Sequence, residues 1–171
     1  MLKRETRILG LSGTTIRDRT IIVGVVFRGS LWLDGVVASS LDTVVRNYNP
    51  EIIRAIESSK QYPQLHAIIL SRRLSRSRKI SIRDLARRTR LPVIAITKSA
   101  EGSRTKRHLP GVKNFGIVVS GKHLEVSAAG VDRGEAERLY GIGCIRGNKT
   151  PETVRVADLL AKQLGRELLT Q

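Results

Sequence analysis

The chain has 171 residues, a length that suits one domain with its own apolar core, and its 40% of apolar residues excludes a disordered tail. The 31 basic and 15 acidic residues give a formal net charge of +16, which a protein acting on neutral metabolites does not need. We therefore expect an anionic partner, and nucleic acid rather than a membrane, because no apolar run reaches the ~20 residues that span a bilayer.

The first part of the chain predicts an antiparallel meander. Residues 6–12 are typical of a short strand, and residues 20–28, TIIVGVVFR, predict a buried strand because they are rich in β-branched side chains. A tight turn then leads to a hairpin partner over residues 31–38, in which Trp32 is expected to join the core.

Helices and strands alternate in the middle of the chain. The pattern predicts a helix over residues 50–59, capped by Asn49, and a central parallel strand over residues 65–70, LHAIIL. A second helix is predicted over residues 81–90, and the run VIAIT at residues 93–97 predicts another buried strand.

The last part begins with a polar, basic stretch at residues 98–113, predicted as a loop or short helix. Residues 115–119 and 123–128 predict a strand pair, followed by a helix over residues 132–140. The final helix is predicted over residues 151–164, with Thr150 as its cap and Pro151 at its first position. Its buried stripe is expected to consist of Val156, Ala157, Leu160, Ala161 and Leu164.

This order of elements predicts an α/β fold in which a mixed sheet carries helices on both faces. It is the order of the ribonuclease-H-like fold. Neither an internal repeat nor a low-complexity linker interrupts the chain, so a single domain over residues 1–171 is expected. The single cysteine, Cys144, excludes an internal disulfide and a thiolate metal site, and we expect a cytoplasmic protein.

The most basic stretch is RRLSRSRKISIRDLARRTR at residues 72–90, in which Asp84 is the only acid. A solvated helix face normally mixes the two signs of charge, so this stretch predicts a surface for nucleic acid. The Ser-Arg alternation at residues 75–78 predicts a loop that becomes ordered on RNA. The residues expected to bind RNA are Arg46, Arg72, Arg73, Arg76, Arg78, Lys79, Arg83, Arg87 and Arg88, with Arg104, Lys106 and Arg107 from a second basic stretch.

Structured RNA is the expected ligand, with ribosomal RNA as the first candidate and other ribosomal proteins as neighbours. The chain has no signature of a helix-turn-helix, a zinc finger or an aromatic RNA-recognition motif. Aromatic residues make up only 4%, which argues against a surface that stacks successive bases. Most of the basic residues are arginines, whose forked guanidinium groups suit contacts with phosphate.

Two long motifs resemble those of an archaeal family that is related to endonuclease V and includes endonuclease dU. PETVRVADLLAKQL at residues 151–164 resembles its Pro-Glu-x-x-Arg-x-Ala helix, and VGVVFRGSLWLDGV at residues 23–36 resembles its strand pair with an Arg-Gly-x-x-x-x-Asp-Gly motif. LPVIAIT at residues 91–97 is a less specific third match. The resemblance extends over nearly the whole chain, and it implies a ribonuclease-H-like fold with an ancestry in metal-dependent phosphodiester cleavage.

Such cleavage needs clustered carboxylates to hold Mg²⁺, and the chain departs from the family where those acids are expected. Ser12 and Gly13 replace the acids after the first strand, and RNYN at residues 46–49 replaces an Asp-Gly-x-Asp pattern. Ser71 and the arginines that follow it replace an acid after the central strand. The acids that remain, Asp34, Asp84, Asp132 and Asp158, are scattered.

We therefore expect a degenerate nuclease site that binds RNA without catalysis and without a metal or cofactor. Arginines such as Arg46 and Arg72 in the former pocket would repel a divalent cation and attract phosphate. One alternative is a metal-dependent endonuclease that acts on deaminated or structured DNA or RNA through relocated acids such as Asp34 and Asp84. Another is a protein-interaction module.

Overall fold

The structure is a computed structural model that describes residues 5–97 and 109–170. The described residues form one seven-stranded sheet. Its strands are β1 (Arg7–Ile16), β2 (Arg19–Arg28), β3 (Trp32–Asp42), β4 (Leu65–Leu70), β5 (Val93–Ile96), β6 (Lys113–Val119) and β7 (Lys122–Ala129). The helices are α1 (Asn49–Glu57), α2 (Arg72–Ser75), α3 (Ile82–Thr89), α4 (Arg133–Ile142) and α5 (Glu152–Thr170), with a 3₁₀ turn at Tyr62–Gln64.

The strands lie in the order β3-β2-β1-β4-β5-β7-β6. The pairs β1–β4 and β4–β5 are parallel, and the other neighbouring pairs are antiparallel. The parallel strands lie at the centre of the sheet, so β4 and β5 end at the same edge, beside β1. This edge is where α/β folds commonly place their ligands.

Successive residues of β1 point to opposite faces of the sheet and separate two cores. Leu9 and Leu11 pack on one face with α1 and α3, through residues such as Ile53 and Leu85. Ile8 packs on the other face, with α4 and the start of α5. The predicted α/β sheet with helices on both faces is therefore confirmed. None of the described helices is long and apolar enough to cross a membrane.

Helix α5 lies unusually close to β1 and β2. A Cβ atom on Gly10 would lie 2.5 Å from the backbone carbonyl carbon of Thr153, so only glycine fits at this point of β1. The Thr153 hydroxyl donates to the carbonyl oxygens of Ile8 and Val25, which ties the first turn of α5 to both strands. Farther along, a Cβ atom on Gly165 would overlap the side chain of Ile16.

Two predictions about the core are wrong. Trp32 is 70% exposed, because it begins the edge strand β3 at a hairpin tip. Leu164, expected in the buried stripe of α5, is 41% exposed, whereas Ala157 and Ala161 of the same stripe are fully buried. Helix α5 also continues to Thr170, beyond the predicted residue 164.

The Ser-Arg alternation at residues 75–78 lies at the end of a short helix and in the turn that follows it, so most of the predicted loop is present, and its ordering on RNA stays a prediction. The Ser71 side chain accepts a hydrogen bond from the backbone N–H of Leu74, and this cap begins the short helix α2. The Ser75 hydroxyl donates to the carbonyl oxygen of Ile96 at 2.6 Å. The segment is therefore held against the end of β5 by the protein itself.

Asn49 is not the predicted cap of α1, because it is the first residue of the helix and its side chain is occupied elsewhere. The Asn49 amide donates to the Ser81 carbonyl oxygen at 2.9 Å and to Asp84 Oδ2 at 3.1 Å. Its own oxygen accepts from the Ser81 N–H at 3.2 Å. This fully buried side chain ties α1 to α3, and its hydrogen bond lowers the pKa of Asp84.

The contact between α5 and β1 predicts a large cost for Gly10→Ala. The added methyl group meets the Thr153 backbone, which cannot withdraw without breaking its ties to β1 and β2, so we expect a loss of about 3 kcal/mol in unfolding free energy. Urea denaturation measures the loss. The control is Gly141→Ala in α4, where the methyl group meets nothing within 4 Å and helix propensity should add up to ~1 kcal/mol. Equal stabilities for the two variants would contradict this packing.

The Asn49 network predicts that Asn49→Asp lowers the unfolding free energy by about 2–4 kcal/mol at neutral pH. The new carboxylate cannot donate, so it faces both the Ser81 carbonyl and the Asp84 carboxylate without a proton between them. The mutual repulsion raises the pKa of the new carboxyl in the folded state. Its cost is therefore present at neutral pH and shrinks as the pH falls toward 4, where a proton restores a donor.

Asn47→Asp is the matched control, because Asn47 Oδ1 only accepts a hydrogen bond, from the Asn49 N–H, and a carboxylate also accepts. We expect a change below ~1 kcal/mol. Denaturation curves at pH 7 and pH 4 distinguish the two variants. A cost for Asn49→Asp that did not depend on pH would contradict the proposed repulsion.

Candidate nucleic-acid interface

Two cavities lie at the ends of the central strands and adjoin α2. The larger one, which we call the basic cleft, has a volume of about 930 Å³ and lies between α2, β7 and the beginning of α5. The smaller one, of about 440 Å³, lies between α2, β1 and the loop after β3. Arg73 and Arg76 line both cavities, so the two are neighbours along one surface.

Cationic side chains from three distant parts of the chain line the basic cleft. They are Arg72, Arg73, Arg76, Lys122, Lys149 and Arg155. Its apolar lining comes from Ile96, Leu124, Tyr140, Val154 and Leu159. Among the described residues that line it, Asp158 is the only acid. A concave site with apolar walls and several cations suits an anionic ligand.

Both oxygens of Asp158 have partners. The Ser12 hydroxyl donates to Oδ1 at 3.1 Å, and Arg73 Nε lies 3.2 Å from the same oxygen. Lys162 Nζ lies 2.6 Å from Oδ2. The carboxylate remains 26% exposed, and it balances part of the positive charge of the cleft.

Arg155 is fixed at the wall of the basic cleft by Glu152, one helical turn earlier. Arg155 Nε lies 2.9 Å from one oxygen of the buried Glu152 carboxylate, and its Nη2 lies 2.7 Å from the other. This hydrogen bonding raises the pKa of Arg155. The ion pair orients a guanidinium that is 50% exposed.

The structure brings only some of the predicted RNA-binding residues together. Arg72, Arg73 and Arg76 line the basic cleft, and Lys79 lines the smaller cavity. The Lys79 ammonium group contacts the Thr43 carbonyl oxygen and lies 4.9 Å from the centre of the Tyr48 ring, so it has internal partners. Five of the predicted residues line neither cavity: Arg46, Arg78, Arg83, Arg87 and Arg88. The remaining three predicted residues lie outside the described part of the chain: Arg104, Lys106 and Arg107.

Three cationic residues of the cleft were missed from the sequence: Lys122, Lys149 and Arg155. Arg155 belongs to the motif that carries the family resemblance, which was a usable signal. Lys122 opens strand β7, and Lys149 lies in the loop before α5, so they reach the cleft only through the fold. No local pattern around them predicts a site.

Two other residues considered in the sequence are Asp34, which has structural partners, and Cys144, which is largely buried. Asp34 binds Arg7 at 2.5 Å and Arg28 at 3.2 Å. The hydrogen bond from Arg7 is the main cause of the lowered pKa of Asp34. Burial raises the pKa of Cys144 to about 12, so its thiol stays protonated and is a poor nucleophile.

The donor set at the cleft does not fit Mg²⁺. This ion takes oxygen ligands and favours clustered carboxylates, whereas the Asp158 carboxylate is already in contact with Arg73 and Lys162. Elsewhere in residues 5–97 and 109–170, no three His, Cys, Asp or Glu side chains come together in a way that could hold a metal ion.

Comparisons with known proteins agree with the resemblance seen in the motifs. A family model described as endonuclease dU matches residues 4–115. A UPF0215 protein of Methanosarcina acetivorans is 30% identical over 94% of this chain and 91% of its own length. A solved structure of a protein of unknown function from Archaeoglobus fulgidus has a TM-score of 0.76 at 21% identity, covering 93% of this chain and 98% of that one.

The fold is also similar to that of endonuclease V. The crystal structure of endonuclease V from Streptomyces avermitilis has a TM-score of 0.69 at 17% identity, and the match covers 96% of this chain and 84% of that chain. At this identity the likeness concerns the fold. The family model, which matches well over half of the chain, shows that this protein belongs to the endonuclease dU family.

Proposed function

We propose that this protein binds the phosphates of structured RNA in the basic cleft and does not cleave them. The observation that carries the proposal is the convergence of six cationic side chains on one cleft that has a single acid among its described lining residues. The family name and the endonuclease V fold support nucleic acid as the class of ligand.

Electrostatics supports a polyanion as the ligand. Each phosphate that meets a cationic side chain releases condensed counterions, so several adjacent cations add to the affinity. Arginine also presents a planar fork that can donate two hydrogen bonds to one phosphate. Arg72, Arg73 and Arg76 supply three such groups within five residues.

The shape of the surface favours folded RNA over duplex DNA. Sequence-specific DNA binders usually insert a protruding helix or a β-ribbon into the major groove. Here the cationic side chains line a concave cleft, and the helix that carries two of them, α2, has only four residues. A cleft of this kind suits the irregular backbone of loops and bulges.

The absence of catalysis is supported by the neutral residues at the positions where the resemblance implies acids. Ser12 donates to Asp158, and the Ser71 hydroxyl caps α2. Asn49 links α1 to α3. Each of these side chains therefore has a structural partner. Mg²⁺-dependent cleavage of a deaminated or structured substrate that is lost in Asp158→Asn would overturn this part of the proposal.

The proposal predicts that combined Arg72→Ala, Arg73→Ala and Arg76→Ala substitutions weaken binding to a hairpin RNA by roughly 100-fold at low salt, since each arginine removed costs about 1 kcal/mol. The slope of log affinity against log salt should fall by about 0.7–0.9 for each phosphate that the variant no longer binds. Fluorescence anisotropy over a salt series measures both quantities.

A triple variant with the same change of charge is the control. Arg54, Arg133 and Arg138 lie on α1 and α4 and line neither cavity, so replacing them with alanine should change the affinity several times less. Equal effects of the two triple variants would show that only total charge matters and would contradict a site in the cleft. A third triple, Arg83, Arg87 and Arg88, tests whether α3 belongs to the interface.

The more specific proposal, that the ligand is ribosomal RNA, rests on the net charge of the chain. It predicts that the protein sediments together with a ribosomal subunit. The native protein in a cell lysate should migrate with one subunit at moderate salt. The triple variant of Arg72, Arg73 and Arg76 should migrate freely, whereas the control triple should not. Free migration of the native protein at low salt, with tight binding to duplex DNA, would contradict ribosomal RNA as the ligand.

A further inference from the structure

Asp158 lines the basic cleft and contacts Arg73, a cationic side chain that a ligand phosphate would also seek. Its carboxylate is the one acid among the described residues that line the cleft, and it contacts the lining residue Arg73 as well as Lys162, which lies outside the lining. Arg73 Nε lies 3.2 Å from Oδ1, and Lys162 Nζ lies 2.6 Å from Oδ2. The third partner, the Ser12 hydroxyl, holds the carboxylate on the side of β1.

We infer that Asp158 is an internal competitor for the bound phosphate, which must displace the carboxylate from Arg73 for this arginine to bind RNA. The inference rests on the proposed function of the cleft. Asp158 then sets the affinity for RNA and takes no part in cleavage.

The geometry makes the exchange feasible. Arg73 is about half exposed and lies on the short helix α2, so its guanidinium can turn from Oδ1 toward the cleft without a change in the backbone. After this turn, Asp158 keeps its contacts with Ser12 and Lys162. The ion pair between Arg73 and Asp158 is partly exposed, and pairs of this kind contribute little, so a phosphate can replace the carboxylate.

Asp158 opposes binding in two ways. It occupies one of the hydrogen-bonding sites of Arg73, and its negative charge repels a phosphate that enters the cleft. Removing its charge while keeping its shape should therefore strengthen the binding of RNA. Loss of an acid in a merely structural role would leave the affinity unchanged or lower it.

The test is the affinity of the full chain for a hairpin RNA at low salt, measured by fluorescence anisotropy. Asp158→Asn should bind about threefold to tenfold more tightly than the wild type. The amide retains an oxygen for the Ser12 hydroxyl, so thermal unfolding should show a folded protein. Asp158→Ala, which should also bind more tightly, checks the result if the asparagine variant is unstable.

Glu51→Gln is the matched control, because it makes the same change of net charge at an exposed ion pair with Arg54 on α1. This helix packs on the opposite face of the sheet from α5, so the affinity should change less than about twofold. Asp158→Asn binding no more tightly than Glu51→Gln would overturn the inference.

A double-mutant cycle with Arg73 identifies the mechanism. In the Arg73→Ala background the gain from Asp158→Asn should shrink, because the arginine that it would free is gone. An equal gain in both backgrounds would overturn the inference. If Arg73→Ala does not weaken RNA binding at all, the proposed function fails as well. If it weakens binding but Asp158→Asn does not strengthen it, only the role of Asp158 fails.

Discussion

The close contact between α5 and β1 determines the position of the α5 side chains that line the basic cleft. Gly10 lets the backbone of Thr153 approach β1, and the Thr153 hydroxyl binds the carbonyl oxygens of two strands. Arg155 and Asp158 follow within two turns of the same rigid helix. Fixing Thr153 therefore sets both side chains above the ends of the central strands, on the side where α2 supplies its arginines.

Packing alone does not explain how so many cations share one cleft. Six cationic side chains at short range repel one another, and this repulsion works against the folded state. Glu152 and Asp158 reduce the repulsion from two positions on α5, the first by binding Arg155 and the second by binding Arg73 and Lys162. Glu152 is buried and holds its arginine firmly, whereas Asp158 is partly exposed and can release one.

Much of the fold was predictable because local patterns determine it. The run LHAIIL gives strand β4 with its bounds at Leu65 and Leu70. The helix predicted over residues 132–140 is α4, whose cap is Asp132: its side chain accepts from the Glu135 N–H at 2.8 Å. The exposure of Trp32 was not predictable, because an apolar strand pattern does not reveal that the strand lies at an edge of the sheet.

The site was less predictable than the fold, for the same physical reason. The arginines of α2 are adjacent in sequence, so composition alone draws attention to them. Lys122 and Lys149 join them only because β7 and the loop before α5 meet α2 in the folded chain. The arginines of α3 show the converse: they are close in sequence to those of α2 but line neither cavity.

Two neutral residues at positions where the resemblance implies acids are each tied to an acid elsewhere in the chain. The Asn49 amide and the Ser12 hydroxyl each donate a hydrogen bond to a carboxylate, that of Asp84 and that of Asp158 respectively. An acid at either position would bring two carboxylates into contact without a proton between them, at a cost in stability. A metal ion could offset that repulsion at Ser12 only if Arg73 and Lys162 first left Asp158. A metal site at this end of the sheet would therefore require coordinated changes of acids and cations.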